Sequence, residues 1–469
     1  MLDIVLAAQV IVWLSVLCVF LASGQASIFH PATLYLVFHG IVFVVRPFLV
    51  FYAGFHFVWE YMQFQPEQPD FIVTLAITSL GLIVFVGASL GAGWTRTEFG
   101  ARPEPLFTPQ ERWALLWTTL ILLPIIAASV YATRGGKESL GEIGAGGALI
   151  MTRSSGYLND AQCSIAPVLC LWLVSSRFHW LNAIPILAYV GYRSWYGWDR
   201  WTILLFFVMV VISFCWHRKR RWLPLWLLVA ALPVLFLFHL LGTNRNMIKQ
   251  YLNREGVEAS QALQPGMSAL EKAAVKYDTL DFANFDYLAA LVAMVPERTG
   301  SYNYGLQYSQ LLTEPIPRFL WREKPTGAMF GVMETWHRWA NWNGLTISIV
   351  GDGWINFGWI GVLIHMALAG TLLGRFHRWF WAKQHKPIAA LFYVSGLAMI
   401  PQQYRDGGIS IFKFLLFTWL PFLIWVGFIW LLGHARVPGA TLVLRPGDTL
   451  RIIRPGDGIT PSSEIIRPF

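Results

Sequence analysis

Long, nearly uncharged apolar runs recur along the chain and limit the folds that are open to it. A helix needs about 20 apolar residues to cross roughly 30 Å of hydrocarbon. Eleven runs approach or exceed that length, and 13% of the 469 residues are charged. A soluble domain has about 25% charged residues. The sequence therefore predicts an all-α polytopic membrane protein with about 11 transmembrane helices.

The predicted spans form two groups with a long polar segment between them. Eight spans precede this segment and three follow it, at 2–22, 31–55, 71–93, 113–133, 161–176, 180–195, 201–216, 222–241, 351–374, 387–402 and 409–432. The predicted domains are therefore transmembrane helices 1–8 (1–241), a loop domain (242–350), transmembrane helices 9–11 (351–432) and a tail (433–469).

The short loops between the spans carry an asymmetric charge that predicts their orientation. Residues 217–221 (HRKRR) and 375–386 hold four Lys or Arg each, whereas residues 56–70 on the opposite side hold none. Basic residues of short loops remain in the cytoplasm, so we expect the N-terminus outside and the C-terminus inside. The net charge of +9 belongs mainly to these loops and gives no reason to expect a nucleic-acid partner.

The loop domain is predicted to be ordered and largely helical. It holds ten basic and ten acidic residues, so it is neutral overall. Ser268 and Glu271 form a Ser-x-x-Glu capping box, and residues 285–295 (FDYLAALVAMV) have helical apolar spacing. We expect this helix to be amphipathic and to lie on the membrane surface or to roof a cavity. The Gly, Pro, Tyr and Trp residues beyond Pro296 predict an irregular segment.

Isolated basic residues lie in the predicted outer loops and at the outer ends of spans. Charged side chains at membrane depth rarely face lipid and often mark substrate sites, and the guanidinium fork suits phosphate oxygens. The pattern predicts an outer cavity that holds a lipid-linked phosphate or diphosphate. Snorkelling side chains and local ion pairs, such as Arg405 with Asp406, are the ordinary alternatives. The candidates are Arg153, Arg200, Arg245, Arg318, Lys324 and Arg405.

Polar and aromatic side chains late in the loop domain are candidates for contact with an acceptor. His337 is a candidate general base because imidazole accepts a proton near neutral pH, and Glu334 and Asp352 are rivals. A structural histidine and a helix-capping aspartate are the ordinary interpretations. Trp336 and Trp339 suit stacking on sugar rings, although Trp is common at membrane interfaces. No HExxH or Asp-rich motif occurs, so no metal or other cofactor is expected.

Several stretches resemble the O-antigen polymerase family, whose members join oligosaccharide repeat units. IPRFLWREKP at 316–325 resembles the family's Ile-Pro-Arg, Leu-Trp, Lys-Pro signature, and MTRSSGYL at 151–158 resembles its Arg-Ser-Gly-Tyr segment. SIVGDGWINFGWIG at 348–361 resembles its Gly-Glu-x-x-Asn-Phe-Gly-x-x-Gly span entrance, with Asp352 in place of the usual Glu. Shorter agreements occur at 197–200 and 405–407.

The resemblance implies an inverting, metal-independent glycosyltransferase of the bacterial inner membrane. It implies that undecaprenyl-diphosphate-linked oligosaccharides are joined at the periplasmic face into a surface polysaccharide or exopolysaccharide. The lipid diphosphate is then the leaving group, held by arginines, and Tyr157 of the second stretch is a further candidate for glycan contact. The implied partners are the lipid-linked substrate, membrane lipids and a co-polymerase that regulates chain length. The N-terminus is then periplasmic and the C-terminus cytoplasmic.

Other function classes fit the same sequence. An O-antigen ligase-like transferase uses the same donor but lipid A core as the acceptor. A transporter or flippase moves the lipid-linked unit without chemistry, but such proteins often contain internal repeats with broken helices, and no such repeats are evident in this sequence. A structural subunit of an export assembly leaves the outer arginines unexplained.

Overall fold

The computed structural model describes most of the predicted spans and parts of the loop domain and tail. The described residues are 1–101, 106–133, 142–143, 149–150, 158, 160–196, 201–227, 229, 232–233, 278, 283–313, 316, 320–321, 345–434, 441–443 and 451–453. The eighth predicted span, 222–241, and the capping box of Ser268 and Glu271 lie largely or wholly outside them.

The described part of the chain is mainly helical, as predicted. In chain order the helices are α1 (Leu2–Ala22), α2 (Pro31–Ala53), α3 (Phe57–Met62), α4 (Gln68–Gly93), α5 (Pro109–Thr133), α6 (Ile165–Ser175), α7 (Ala183–Tyr196), α8 (Trp201–His217), α9 (Asn284–Met294), α10 (Gln310–Thr313), α11 (Ser348–Lys383), α12 (Pro387–Asp406) and α13 (Gly408–His434). Short 3₁₀ turns precede α6, α7 and α10, at Ala161–Ser164, Trp180–Asn182 and Leu306–Ser309.

Two pairs of short antiparallel strands accompany the helices among the described residues. Strands β1 (Glu142–Ile143) and β2 (Leu149–Ile150) pair with each other. In the predicted cytoplasmic tail, β3 (Thr441–Val443) pairs with β4 (Arg451–Ile453). One of the two Arg-Pro-Gly-Asp sequences of the tail falls between these strands.

In the part of the chain that the structure describes, six helices are long and apolar enough to cross a membrane. They are Leu2–Ala22, Pro31–Ala53, Gln68–Gly93, Pro109–Thr133, Ser348–Lys383 and the segment Phe414–Gly433 of α13. Shorter apolar helices at Ala161–Ser175 and Trp201–His217 coincide with predicted spans. The chain is therefore a multi-pass membrane protein, and the number of eleven spans stays a prediction.

Close contact between α4 and α11 forms the centre of the bundle. A Cβ atom placed at Gly370 would lie 2.5 Å from the carbonyl oxygen of Phe85, and one at Gly374 would collide with the carbonyl oxygen of Ser89. Small residues allow helix backbones to approach each other in a membrane. This Gly-x-x-x-Gly pair therefore allows α4 and α11 to pack closely.

The basic loops gather at one end of the bundle. Trp216 at the end of α8 donates its indole N–H to the carbonyl of Gln384 (3.1 Å), and the Gln384 side chain donates to the carbonyl of Glu98 (3.4 Å). Arg221 donates to the carbonyl of Gly24 (2.6 Å). These contacts bring together the loops that the charge pattern predicts to be cytoplasmic, and the orientation itself stays a prediction.

Helix α2 contains one widened turn in its middle. Residues Gly40–Val45 form a π-helix, and Arg46 and Pro47 follow it directly. A proline within a helix lacks an N–H donor and its ring clashes with the carbonyl four residues earlier. The widened turn removes this clash, and Arg46 is left 3% exposed at the end of the bundle opposite the basic loops.

Helix α9 excludes one of the two positions expected for the helix at 285–295. All of its residues are buried, so it is not an amphipathic helix on the membrane surface. Phe285 stacks on Phe71 of α4 (6.1 Å between ring centroids), and Val295, which follows α9, accepts a hydrogen bond from Trp354 of α11 (3.1 Å). Its first-turn polar residues, Asn284 and Asp286, have partners inside the protein. The helix is therefore inserted among the predicted spans.

Candidate functional site

The motif at 348–361 folds as a sharp reversal within α11. Phe357 (φ −152°, ψ 25°) and Gly358 (φ 58°, ψ −135°) are not helical. The positive φ of Gly358 favours glycine, and a Cβ atom there would lie 2.6 Å from the hydroxyl of Tyr302. Gly353 and Gly361, on the two sides of the break, touch each other so closely that a side chain at Gly361 would collide with the Gly353 carbonyl.

This reversal brings together side chains that a straight helix keeps apart. Asp352 and His365 are 13 positions apart in the sequence, which corresponds to about 20 Å along an α-helix at about 1.5 Å per residue. In the structure, Nε2 of His365 lies 3.8 Å from Oδ2 of Asp352. The motif thus builds a short helix folded against the following span, rather than a continuous entrance to it.

The carboxylate of Asp352 is the centre of this arrangement and is fully buried. Its Oδ2 accepts hydrogen bonds from the Tyr308 hydroxyl (2.9 Å) and from the backbone N–H of Gly408 (2.7 Å). Its Oδ1 accepts one from the Gln307 side chain. Asp352 therefore caps the first turn of α13, where a helix favours negative charge, and not the start of its own helix.

Tyr308 is held as a hydrogen-bond donor at this carboxylate. Burial and the adjacent Asp352 charge raise the pKa of the Tyr308 phenol well above its usual range. The phenol thus stays protonated under all ordinary conditions. Asn356 fixes the same loop, because its side-chain oxygen accepts from Gly305 N–H (2.6 Å) while its amide donates to the Asp352 carbonyl (2.7 Å).

Arg405 lies in the last turn of α12, immediately before the turn that Asp352 holds. Arg405 is 9% exposed, and its guanidinium carbon lies 4.7 Å from the centre of the Trp201 ring. One terminal nitrogen is 3.3 Å from Oδ1 of Asp406. Its Nε has no hydrogen-bond partner within the described parts of the chain. The predicted local pair with Asp406 is therefore present but leaves donor capacity on Arg405.

The backbone at Arg405 is fixed from the other side by α9. The side-chain amide of Asn284 donates to the carbonyl oxygens of Arg405 and Thr346, both at 2.8 Å. Two residues later, Asp286 accepts from Nε of Arg46 (2.8 Å). Helix α9 thus links a buried ion pair on α2 to the turn that carries Arg405.

Arg46 is a buried charge that the sequence interpretation missed. It donates to two carboxylates, Asp286 and Asp278 (2.8 and 2.7 Å), and Asp278 also accepts from the backbone N–H of Phe57 (2.9 Å). An arginine inside a predicted span, followed directly by proline, is the signal that identifies such a site. Because Arg46 faces two carboxylates, it anchors the loop domain and is not a substrate-binding cation.

Arg193 is a second buried arginine near the same end of the bundle. Its Nε donates to the Thr202 hydroxyl (2.8 Å), and a terminal nitrogen donates to the Gln162 side chain (2.7 Å). Thr202 follows Trp201, the residue whose ring packs on Arg405. Arg193, near the end of the sixth predicted span, and Arg405, after the tenth, therefore both contact the first turn of α8.

Of the predicted site residues, the structure describes Asp352 and Arg405 and brings them to adjoining positions. Gly407 and Gly408 connect them, and Gly407 adopts a positive φ of 83°. Within the described ranges, no group of three or more His, Cys, Asp or Glu could hold a metal ion. The other candidates lie outside the described residues: Arg153, Tyr157, Arg200, Arg245, Arg318, Lys324, Glu334, Trp336, His337 and Trp339.

The part of the chain that contains this site matches a known protein family. Residues 200–433, about half of the chain, match the family model described as O-antigen polysaccharide polymerase Wzy. The matched range includes α9, the reversal in α11 and Arg405. No curated protein and no solved structure gives a significant match. The family match agrees with the motif resemblance and with the apolar helices, and the chain belongs to the O-antigen polysaccharide polymerase Wzy family.

Proposed function

We propose that this protein polymerises undecaprenyl-diphosphate-linked oligosaccharide repeat units at the periplasmic face of the inner membrane. Membership of the family makes the chain a glycosyltransferase-like polysaccharide polymerase that acts on lipid-linked repeat units. The position of Arg405 is the observation that best supports the proposed reaction with a lipid-diphosphate substrate. This residue is buried on Trp201, has an Nε without a hydrogen-bond partner among the described residues, and closely precedes a turn fixed by Asp352.

The proposed reaction is an inverting displacement at the anomeric carbon of the growing chain. The acceptor hydroxyl oxygen forms the new glycosidic bond while the bond to the lipid diphosphate breaks. Fixed positive groups stabilise the charge that develops on the departing diphosphate. Arg405 supplies one such group, and the sequence candidates for the others are Arg153, Arg200, Arg245, Arg318 and Lys324. The charge is met by guanidinium and ammonium groups, so the proposed chemistry needs no metal.

The acceptor side of the proposal rests on residues in and after the loop domain. Trp336, Trp339 and Tyr157 suit contact with sugar rings, and His337 and Glu334 are candidates for accepting the hydroxyl proton. Asp352 has a different role in this proposal, because its buried carboxylate is surrounded by four hydrogen-bond donors. It positions the turn after Arg405 instead of touching the acceptor itself.

The test uses purified protein in lipid nanodiscs with its lipid-linked repeat unit, a chelator and no nucleotide sugar. We expect a ladder of whole repeat units on a gel. Arg405→Ala should lower the rate by roughly 10²-fold, as expected when one group that stabilises developing charge is removed. Arg298→Ala is the matched control, because Arg298 is an exposed arginine that lies over Phe64 in the same half of the bundle.

The outcomes separate the function classes. Unchanged substrate from the wild-type protein, together with movement of that substrate across vesicle membranes, would establish a transporter. Products that appear only when lipid A core is supplied would establish a ligase. Equal rates for Arg405→Ala and Arg298→Ala would show that Arg405 does not bind the diphosphate.

A further inference from the structure

The pair of Asp352 and His365 has features that a purely structural contact does not require. Asp352 already accepts hydrogen bonds from Tyr308, Gln307 and Gly408, so it needs no further donor. A longer bond from the Asn356 amide reaches Oδ1 (3.4 Å), and because all of these donors are neutral, none of them cancels the charge of a carboxylate. His365 faces this charge at 3.8 Å, and its side chain is 20% exposed while that of Asp352 is fully buried.

The position of His365 along α11 also suits a substrate headgroup. It lies seven positions after the break at Gly358, which is about 10 Å along the helix. The break lies at the bundle end that holds Arg405, so the imidazole lies about two helical turns inside that end. An ionisable side chain inside a candidate membrane span is, by default, a candidate functional residue.

The carboxylate determines which ring nitrogen of the neutral imidazole carries the proton. Nε2 faces Asp352, so the neutral ring carries its proton on Nε2 and presents an unprotonated Nδ1. The separation of 3.8 Å is longer than a hydrogen bond of about 2.7–3.2 Å. Contacts of this kind are often long without substrate and shorten in the reacting complex.

We infer that His365, in place of the sequence candidates His337 and Glu334, accepts the proton of the acceptor hydroxyl during glycosyl transfer and that Asp352 orients it. The inference rests on the proposed polymerase function and names one residue of its site. As the acceptor oxygen bonds to the anomeric carbon, its proton passes to Nδ1. The electron pair of the broken bond leaves with the lipid diphosphate. The imidazolium that forms is stabilised by Asp352, and it releases its proton to water before the next cycle.

The side chains beside the His365 imidazole are poorer candidates for the base. Asp352 is the charged partner, and Tyr308 reaches the same oxygen of that carboxylate. Tyr308 is a protonated donor and cannot serve as the base. Asp352 is enclosed by its donors and cannot reach a bulky sugar. The partly exposed His365 is therefore the member of this cluster that an acceptor can contact.

The first measurement compares wild-type protein with His365→Gln in the nanodisc polymerisation assay across a range of pH. The wild-type rate should fall on acidification, since a protonated imidazole cannot accept the hydroxyl proton. His365→Gln should lose roughly 10²–10⁴-fold in turnover, the usual contribution of a general base, and should lose the acidic fall. His385→Gln, a change at an exposed histidine after α11, is the matched control and should behave as wild type.

A second variant separates chemistry from folding. His365→Ala should bind the lipid-linked repeat unit with wild-type affinity, and added imidazole should restore part of its turnover. Equal rates and pH profiles for wild type and His365→Gln would overturn the inference while leaving the polymerase intact. Loss of substrate binding in His365→Ala without rescue by imidazole would overturn it as well. Absence of any ladder from the wild-type protein would instead refute the proposed function.

Discussion

At the scale of single residues, Asp352 is fully buried, and the groups that donate hydrogen bonds to its carboxylate are all neutral. A buried carboxylate is costly unless its oxygens are hydrogen-bonded. Tyr308, Gln307 and the Gly408 N–H meet this requirement without cancelling the charge. The remaining negative charge can therefore act on His365 at 3.8 Å.

Removing the hydroxyl of Tyr308 tests this arrangement. We expect Tyr308→Phe to lower the free energy of unfolding by about 1.5 kcal/mol, because hydrogen bonds to charged groups contribute roughly that much. Polymerisation should slow as well, since the turn after Arg405 loses one of its supports. Thermal unfolding in nanodiscs and the repeat-unit ladder measure the two effects.

The neighbouring Tyr304 provides the control for this change. It is 58% exposed, so Tyr304→Phe should leave both stability and turnover near the wild-type values. If Tyr308→Phe and Tyr304→Phe are equally stable and equally active, then the Tyr308 contact does not support the site.

At the residue level, motifs marked the two candidate site residues that the structure describes, and their roles stay predictions. Asp352 and Arg405 each lie in a short recognisable stretch, and both are at the described site. Arg46 and His365 were missed for different physical reasons. Arg46 was hidden inside an apolar run, and its two carboxylate partners are more than 200 positions away. The contact of His365 depends on a chain reversal that apolar periodicity does not reveal.

At the scale of elements, α9 joins the loop domain to the bundle through the ion pair of Arg46 with Asp286. Breaking a buried pair by removing one partner leaves an uncompensated charge and costs about 3–5 kcal/mol. Arg46→Met leaves two buried carboxylates, so we expect a loss of this size. It should appear as a lower midpoint in thermal unfolding of the detergent-purified protein.

A double-mutant cycle identifies the cause of that loss. Asp286→Asn combined with Arg46→Met should cost less than the sum of the single changes, because the second substitution removes one charge left unpaired by the first. Arg298→Met at an exposed site should have little effect. Strict additivity of the two buried substitutions would show that the pair does not couple α9 to α2.

Element-level prediction was accurate where apolar length and composition decided the outcome. Helices α1, α4 and α5 follow the first, third and fourth predicted spans closely. Of the two positions expected for α9, the membrane surface was wrong, because a helix of apolar residues with two polar residues in its first turn looks amphipathic in sequence. Its polar residues instead meet Arg46, Thr346 and the backbone of Arg405.

At the scale of the whole molecule, the bundle has two chemically different ends. Trp216, Gln384 and Glu98 link the basic loops at one end. Asp352, Arg405 and the Arg46 ion pair lie at the other. This separation is what the charge pattern of the loops predicts for a cytoplasmic and a periplasmic face.

Cysteine labelling in intact cells measures the orientation directly. In a chain whose native cysteines are replaced by serine, Gln65→Cys should react with a membrane-impermeant maleimide. Arg218→Cys, at an exposed position among the basic loops, should react only after the inner membrane is opened. The reverse pattern would invert the predicted topology and place the Arg405 end in the cytoplasm.

Sequence reasoning at this scale gave the membrane class, the helical content and the family. These follow from composition and from short motifs, which can be recognised without knowing which residues are in contact. The count of eleven spans depends on helices such as α6 and α7, with 11 and 14 residues. Helices this short are below the length of about 20 residues that a perpendicular span requires, so apolar length alone does not decide how they cross.

The complete burial of α9 has a consequence for how the protein is made. At 11 residues, it is too short to be held across a bilayer on its own. Its partners on α2 and α4 leave the ribosome before it, and its partners on α11 leave after it. A newly made α9 therefore waits, with one side exposed, until α11 has been inserted. The outer end of the bundle is completed only then, so the site around Asp352 forms late in biogenesis, after most of the chain has been integrated.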